Sequence, residues 1–383
     1  MVTLVRHGTS LRSVARRFNV SLDTVQRWTG RAAGQRLNRV DWTDRPPIAE
    51  TIHRTDDETE KLILTLRAEL RDQSALGEFG AAAIQRALRA RSYAHIPTVR
   101  TIARILERRG AIDYRRRVRR PAPPPGWYLP DVAAGRAELD SFDVVEGLRL
   151  GDATDVDVLT GTSLHGGLVG AWPAPSWNAK QVVATLLAHW RQLGLPVYAQ
   201  FDNDNRFQGP HQHVDAVGRV MRLCLSLGTT PVFAPPREPG FQNAVENLNG
   251  RWQAKVWARF APGSLGELLA HSDRCVVASR QRAAARSETA PPRLAFPRRW
   301  RLDLQAPRHG RIIFLRQTSE RGAVSLLGHT VSVDPLWCHR LVRCEVSLSD
   351  RRASFYGLRR AQPDQQPLLR EIPYMLPERP FKE

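Results

Sequence analysis

Residues 199–210 read AQFDNDNRFQGP. The apolar run PVYAQF, which begins at Pro196, has the length and composition of a buried strand. It ends in a turn that carries two carboxylates, Asp202 and Asp204, on either side of Asn203. The acids therefore stand at the mouth of a core, in a chain whose formal net charge is +19. An acid at such a place is costly unless it is paired or bound to a cation.

The basic excess is almost wholly arginine, because lysine occurs only at Lys61, Lys180, Lys255 and Lys382. A guanidinium forks onto phosphate in a bidentate way, and an isoelectric point near 11.0 points to a polyanion such as nucleic acid. A length of 383 residues suggests two to four domains. The cysteines, Cys224, Cys275, Cys338 and Cys344, form neither a CxxC pair nor a metal-finger spacing, and are expected as reduced thiols. No apolar run approaches membrane length and no signal-like segment opens the chain. The expectation is a soluble cytoplasmic protein with no membrane partner.

Residues 3–30 carry two capped helical stretches. Ser10 caps a helix with Leu11, Val14, Ala15 and Phe18 on one face. After a tight turn at Asn19-Val20, Ser21 caps a second helix with Leu22, Val25 and Trp28 inward. The small Ala15 lets the two cross closely, the pattern of a helix-turn-helix over residues 1–34. Asp23, Thr24, Gln26 and Arg27 are then expected to face the major groove of double-stranded DNA, with Thr24, Gln26 and Arg27 as its contacts. A helical hairpin used only for packing is the plainer alternative. Three further helices over residues 55–112 fit a second, winged helix-turn-helix, with Val99–Arg109 as recognition helix. Arg100, Arg104 and Arg108 lie along one of its faces. Residues 113–136 read as a basic, Pro-rich linker in which Arg115, Arg116 and Arg117 lie along a phosphate backbone.

From residue 137 the texture changes to three strands, then helix–strand–helix–strand–helix, which predicts a mixed α/β sheet covered by helices over residues 137–262. Residues 263–310 are helical and then rich in Arg and Pro. Short alternating segments over residues 311–376 predict a small β-barrel. The fold class is therefore multidomain, α and α/β.

Acids stand at three informative points of the α/β segment. Asp143 lies inside the first strand among Phe142, Val144 and Val145; Asp202 ends the fourth; Glu246 lies near the start of the last helix, after PPREPGFQN. Three carboxylates from separate elements, converging at one sheet face, are what hard divalent cations require. Two Mg²⁺ ions can activate a nucleophilic oxygen and stabilise the leaving one in phosphodiester chemistry. Asp140 competes with Asp143, since the two point to opposite strand faces and only one can join the site. Asp204 is a turn former or cap, or else a further metal ligand. His211 and His213 could bind a soft metal with Cys224, against the simpler reading of a solvated loop.

The segments LDSFDVVEG, YAQFDNDNRF and PPREPGFQNAVENLNGRW, within residues 137–260, resemble the catalytic core of the DDE transposase and retroviral-integrase superfamily, a ribonuclease H-like fold. The flanking order of helix-turn-helix modules, basic linker, core and barrel is similar to bacterial insertion-sequence transposases. The resemblance implies Asp143, Asp202 and Glu246 as catalytic and metal ligands for two Mg²⁺ ions, with Mn²⁺ able to substitute, and it favours Asp143 over Asp140. Asn249 also matches the family's helix pattern. The resemblance implies cleavage and strand transfer at element ends, by attack first of water and then of a 3′-hydroxyl, by a homo-oligomer assembled on end and target DNA.

Four features depart from the family. Asp204 stands where Gly usually follows Asn, and QGPHQHVDAVG (208–218) reads as an insertion. Gln253 stands where a basic residue often holds DNA, leaving Arg251 or Lys255 for that role. Ser163-Leu-His-Gly-Gly replaces the usual Asp-x-x-Ser-Arg. These departures motivate the alternative of a catalytically inactive, transposase-derived DNA-binding protein or repressor.

Overall fold

The computed structural model describes residues 1–43, 55–112, 123–210, 213–236, 238, 240–377 and 379–381. It divides into two compact units, Met1–Thr59 and Glu60–Glu383.

In the first unit, helices α1 (Val2–Arg6), α2 (Leu11–Phe18) and α3 (Leu22–Arg31) pack around Val14, Ala15 and Val25. Ser10 Oγ accepts the Ser13 N–H at 3.2 Å and Ser21 Oγ accepts that of Thr24 at 3.1 Å, so both helices start at their expected caps. Phe18 and Leu22, expected inward, are 46% and 36% exposed. That core is closed instead by Met1, Leu4 and Val5, on and just before α1. Gln26 and Arg27 are exposed, and Thr24 is half-buried with its hydroxyl on Ser21.

The second unit opens with α4 (Asp57–Gln73, its first residues in the first unit), α5 (Ala81–Ala90) and α6 (Val99–Arg108). Ile63, Leu66, Ile84, Leu88, Ile102 and Ile105 form their shared core. Thr98 caps α6 through the Thr101 N–H. Arg100 and Arg104 are exposed, whereas Arg108 is drawn away with Arg109 onto the buried Glu60. Arg115, Arg116 and Arg117, and any wing after α6, lie outside the described residues. The far end of the expected linker is packed chain: Trp127, Tyr128 and Leu129 are buried, followed by α7 (Pro130–Ala133). Large aromatic side chains bury far more readily than a Pro-rich tether would.

A mixed sheet follows. Its elements are β1 (Leu139–Arg149), β2 (Asp155–Ser163), β3 (Val169–Ala174), α8 (Ala179–Leu193), β4 (Tyr198–Phe201), α9 (Asn205–Gln208), α10 (Arg219–Ser226) and β5 (Thr230–Phe233). The strands order 3-2-1-4-5, with β1, β2 and β3 antiparallel and β1, β4 and β5 parallel. This is the ribonuclease H-like arrangement. Val182, Leu186 and Trp190 of α8 and Val220 and Leu223 of α10 pack with Phe142 and Phe201 in its largest core. Helix α11 (Asn243–Trp252) continues through a π-helical turn (Gln253–Trp257) and α12 (Ala258–Phe260), and α13 (Leu265–Glu288) packs on β3. No helix among the described residues is long and apolar enough to cross a membrane.

The C-terminal strands do not form the expected separate barrel. β6 (Arg311–Gln317) pairs in parallel with β5, and β9 (Leu341–Ser347), β10 (Arg352–Leu358) and β11 (Leu368–Pro373) extend the same sheet to nine strands. Among the described residues only β7 (Ala323–Leu326) and β8 (His329–Ser332) stand aside, as a hairpin. The reason is legible in β6, where Ile312, Ile313, Phe314 and Leu315 are all buried. A strand apolar on both faces belongs in the middle of a covered sheet.

The connector after α13 returns across the sheet and is fixed by Asp140. The Arg293 guanidinium binds both oxygens of Asp140 at 2.8 and 2.7 Å, and Trp190 Nε1 donates to the same carboxylate at 3.1 Å. Asp140 is 1% exposed and Arg293 11%. The carboxylate that competed for the site is thus consumed by a buried ion pair on the opposite face. Removing one partner of such a pair strands a buried charge. Arg293→Ala is expected to lower unfolding free energy by about 3–5 kcal/mol, measured by denaturant titration.

Candidate active site

The sheet's register builds the site. β1 and β4 pair in parallel as Leu139↔Tyr198, Asp140↔Ala199 and Ser141↔Gln200. Carried forward, the same offset sets Asp143 level with Asp202, at the carboxyl end of β4. Ligands of open α/β sheets bind at this end, outside the strands' carboxyl termini.

A buried polar network seats the third acid. Ser141 Oγ donates to Gln200 Oε1 at 3.1 Å, Tyr128 O–H donates to the same oxygen at 2.8 Å, and Gln200 Nε2 donates to the Phe241 carbonyl at 3.2 Å. Phe241 precedes α11, so this network ties the start of that helix to β1 and β4. Glu246 comes from its first turn. Glu246 is exposed, and its carboxylate makes no hydrogen bond or ion pair among the described residues, although its N–H donates to the Gln242 carbonyl at 2.9 Å.

Asp143 is held more tightly. Its Oδ1 accepts its neighbour Val144 N–H at 2.9 Å, and its Oδ2 accepts Asn249 Nδ2 at 2.8 Å. Thr160 of β2 donates to Asn249 Oδ1 at 2.6 Å, which fixes the amide with its nitrogen toward Asp143. Asn249 lies three residues after Glu246, on the same helix face. Asp202 Oδ1 accepts the Asp204 N–H at 3.0 Å. Asn203 donates to the Ala234 carbonyl at 2.5 Å, while its Oδ1 is buried without a partner.

Asp204 is engaged elsewhere. It caps α9 by accepting the Arg206 N–H at 2.7 Å, and it binds the Arg206 guanidinium through both oxygens at 2.8 Å. Arg206 also reaches Glu146 of β1 at 2.5 Å. The reading of Asp204 as a cap therefore has its geometry in the structure. An open cavity of about 500 Å³ lies beside this turn, lined by Asp202, Asn203, Asp204, Pro235, Glu238 and Gln242 among others.

All three acids resist ionisation. Burial pushes the Asp202 carboxyl up to about 6, helped by the charges of Asp143 and Asp204. Burial likewise raises Asp143, with Glu146 adding to it, and raises Glu246, with Asp143 adding to it. The carboxylates thus act on one another, yet no trio of His, Cys, Asp and Glu among the described residues is gathered closely enough to ligate one ion. For a soft-metal site, His211 lies outside the described residues and Cys224 is buried in the core.

The remaining predicted DNA contacts separate. Arg251 is exposed, with Nε donating to the Asn247 carbonyl at 3.2 Å, and it lines a different cleft from the acids, with Leu248, Trp252 and Arg282. Lys255 donates to the Gly77 carbonyl at 2.9 Å and lies over Phe79, so its ammonium is engaged within the protein. Thr160, Arg206, Gln200 and Tyr128 were not singled out from the sequence. The available signals were a glutamine inside an apolar strand and a tyrosine inside a Pro-rich stretch.

Fold and acids together define a ribonuclease H-like core with one carboxylate inside β1 and another just past the end of the adjacent parallel β4. No family model matches the chain, and no curated protein does. Solved structures similar to it include the catalytic core domain of BIV integrase, 22% identical with a TM-score of 0.28, covering 37% of this chain and 81% of that one. The HTLV-2 integrase catalytic core domain in complex with magnesium is 13% identical with a TM-score of 0.27, covering 36% and 81% respectively. A simian T-cell lymphotropic virus intasome in complex with PP2A regulatory subunit B56 gamma is 13% identical with a TM-score of 0.33, covering 71% of this chain and 92% of that one. The strand order and the carboxylate geometry, not these likenesses, carry the functional reading.

The electrostatics are directly measurable. In metal-free protein Asp202 is expected to titrate near pH 6 rather than near 3.8, followed by carboxyl carbon NMR. Asp143→Asn removes a neighbouring negative charge and should lower that midpoint, while an unmoved midpoint would place the two acids apart.

Proposed function

We propose that this chain is a DNA transposase of the integrase-like kind, which cuts and joins DNA strands at element ends by metal-dependent phosphodiester transesterification. The observation that carries the reading is the parallel register that sets Asp143 level with Asp202, with the charge of Asp143 felt by Glu246 on α11.

The donor set fits a hard divalent cation. It consists of carboxylate oxygens whose mutual repulsion a cation relieves, with the orphaned Asn203 Oδ1 in the same turn. Asp143, Asp202 and Glu246 are the residues that would hold Mg²⁺, or Mn²⁺ in its place. Two such ions, when bound, supply a Lewis acid and a lowered pKa for coordinated water. The chain's own part is positional. Asn249 fixes the rotamer of Asp143 and Thr160 fixes Asn249, so that one acid is set before any ligand arrives. Among the described residues the Glu246 carboxylate has no partner to compete with a ligand.

DNA recognition in this reading falls to exposed arginines and polar groups outside the core. Gln26 and Arg27 of α3, with Thr24 beside them, and Arg100 and Arg104 of α6 present such groups on helices that start at capped ends. Arg115, Arg116, Arg117 and Arg251 add phosphate contacts. Joining two ends calls for at least two protomers, so a homo-oligomer assembled on DNA is part of the proposal.

The test uses the full chain with duplexes carrying the DNA that flanks its coding region, in Mg²⁺ or Mn²⁺. Cleavage and joining are expected, with losses on the order of 100-fold or more for Asp143→Asn, Asp202→Asn and Glu246→Gln while DNA binding persists. Specific binding without nicking or joining by the wild type would instead show an inactive DNA-binding protein. Asn249→Ala should lose about 10- to 100-fold in activity, because it supports a ligand without being one.

A further inference from the structure

Asp204 follows Asp202 in the same turn, its N–H bonded to Asp202 Oδ1 at 3.0 Å, and Arg206 is the cation whose charge acts on both Asp143 and Asp202. Its contacts are unequal. Nε and Nη2 each reach Asp204 at 2.8 Å, and Nη2 also reaches Glu146 Oε1 at 2.5 Å. Nη1 donates to nothing among the described residues, and the side chain keeps 18% of its surface exposed.

Neutralising Asp204 would need one contact. Here the guanidinium is gripped by both Asp204 oxygens and by a second carboxylate from β1, which fixes its plane and orientation as well as its charge. A cation fixed in this way costs little reorganisation when an anion arrives, which is what stabilising a phosphodiester requires. The helix side supplies no such group. Gln253 stands one turn beyond Asn249, Lys255 is bound to Gly77, and Arg251 belongs to a separate cleft.

We propose that Arg206 Nη1 donates to a phosphate oxygen of the DNA strand lying against Asp143, Asp202 and Glu246, and that Asp204 and Glu146 hold the guanidinium for that contact. The extra carboxylate at Asp204 then has a role in binding substrate rather than metal. The inference rests on the strand-transfer reading of the site.

The experiment compares wild type, R206A and R206Q on flanking duplexes whose cut position has been mapped, with and without single neutral methylphosphonates next to the cut. Circular dichroism melting identifies a variant that fails to fold, and R206Q keeps a polar side chain of similar reach. R206A is expected to lose about 10- to 100-fold in kcat/KM on the natural duplex. One methylphosphonate position should cost the wild type a similar factor and cost R206A little more, because arginine and phosphate charge act as one contact. E146Q should give a smaller loss in the same direction. Unchanged kcat/KM in R206A, or a loss independent of every methylphosphonate, overturns the inference and leaves a purely structural arginine. A wild type that cuts no duplex overturns the strand-transfer reading along with it, so the two failures are distinguishable.

Discussion

The parallel pairing of β1 with β4 is the constraint on which the site depends. Side chains of a strand alternate in direction, so a slip of one residue would send Asp143 toward the hydrophobic face and Asp140 toward the cleft. Two features oppose that slip. Asp140 is locked to Arg293 and Trp190 on one side of the sheet, and Ser141 is bonded to Gln200 across the pair. The buried ion pair contributes little net stability by itself, since desolvating both charges offsets most of their attraction. Its consequence is specificity of register, and through register the position of the two aspartates.

The same register explains why a chain so rich in arginine carries a locally acidic cleft. The arginines near the core are largely committed inside the fold: Arg293 to Asp140, Arg286 to the Leu164 and His165 carbonyls, and Arg343 to Tyr128 and Gln366. Asp143, Asp202 and Glu246 are left with raised pKa values because burial and neighbouring carboxylates both penalise ionisation, while Arg206 offsets only part of it. Mutually repelling carboxylates are unfavourable for stability alone, which is why acids with perturbed ionisation argue for a ligand.

Much of this was legible in the sequence, and the exceptions follow a rule. Helix starts were readable because Ser10, Ser21 and Thr98 act locally, each on an N–H three residues ahead. The strands and the three acids were readable from alternation and from apolar runs that end in carboxylates. The second layer was not readable: Thr160 meets Asn249 across 89 residues and Tyr128 meets Gln200 across 72, and no local pattern encodes such pairs. Phe18 and Leu22 have the spacing of core residues yet are exposed, because a five-residue helix at the start of the chain closes that core first.

The failure of the barrel expectation is the more instructive one, because it bears on the site. Short strands separated by polar turns fit a barrel and a sheet extension equally well, and only the two-faced burial of β6 separates them. Phe314 of β6 stacks on Phe233 of β5 at 5.2 Å, and Phe233 in turn meets Phe201 of β4 at 6.1 Å. Phe201 stacks on Phe142 of β1 at 5.6 Å. A row of aromatic rings therefore crosses four strands, and its last two members are the residues immediately before Asp143 and Asp202. Without β6, the β5 edge would expose its N–H and C=O groups and one end of that row would lose its packing partner. The C-terminal strands are thus part of the wall against which the two aspartates are placed.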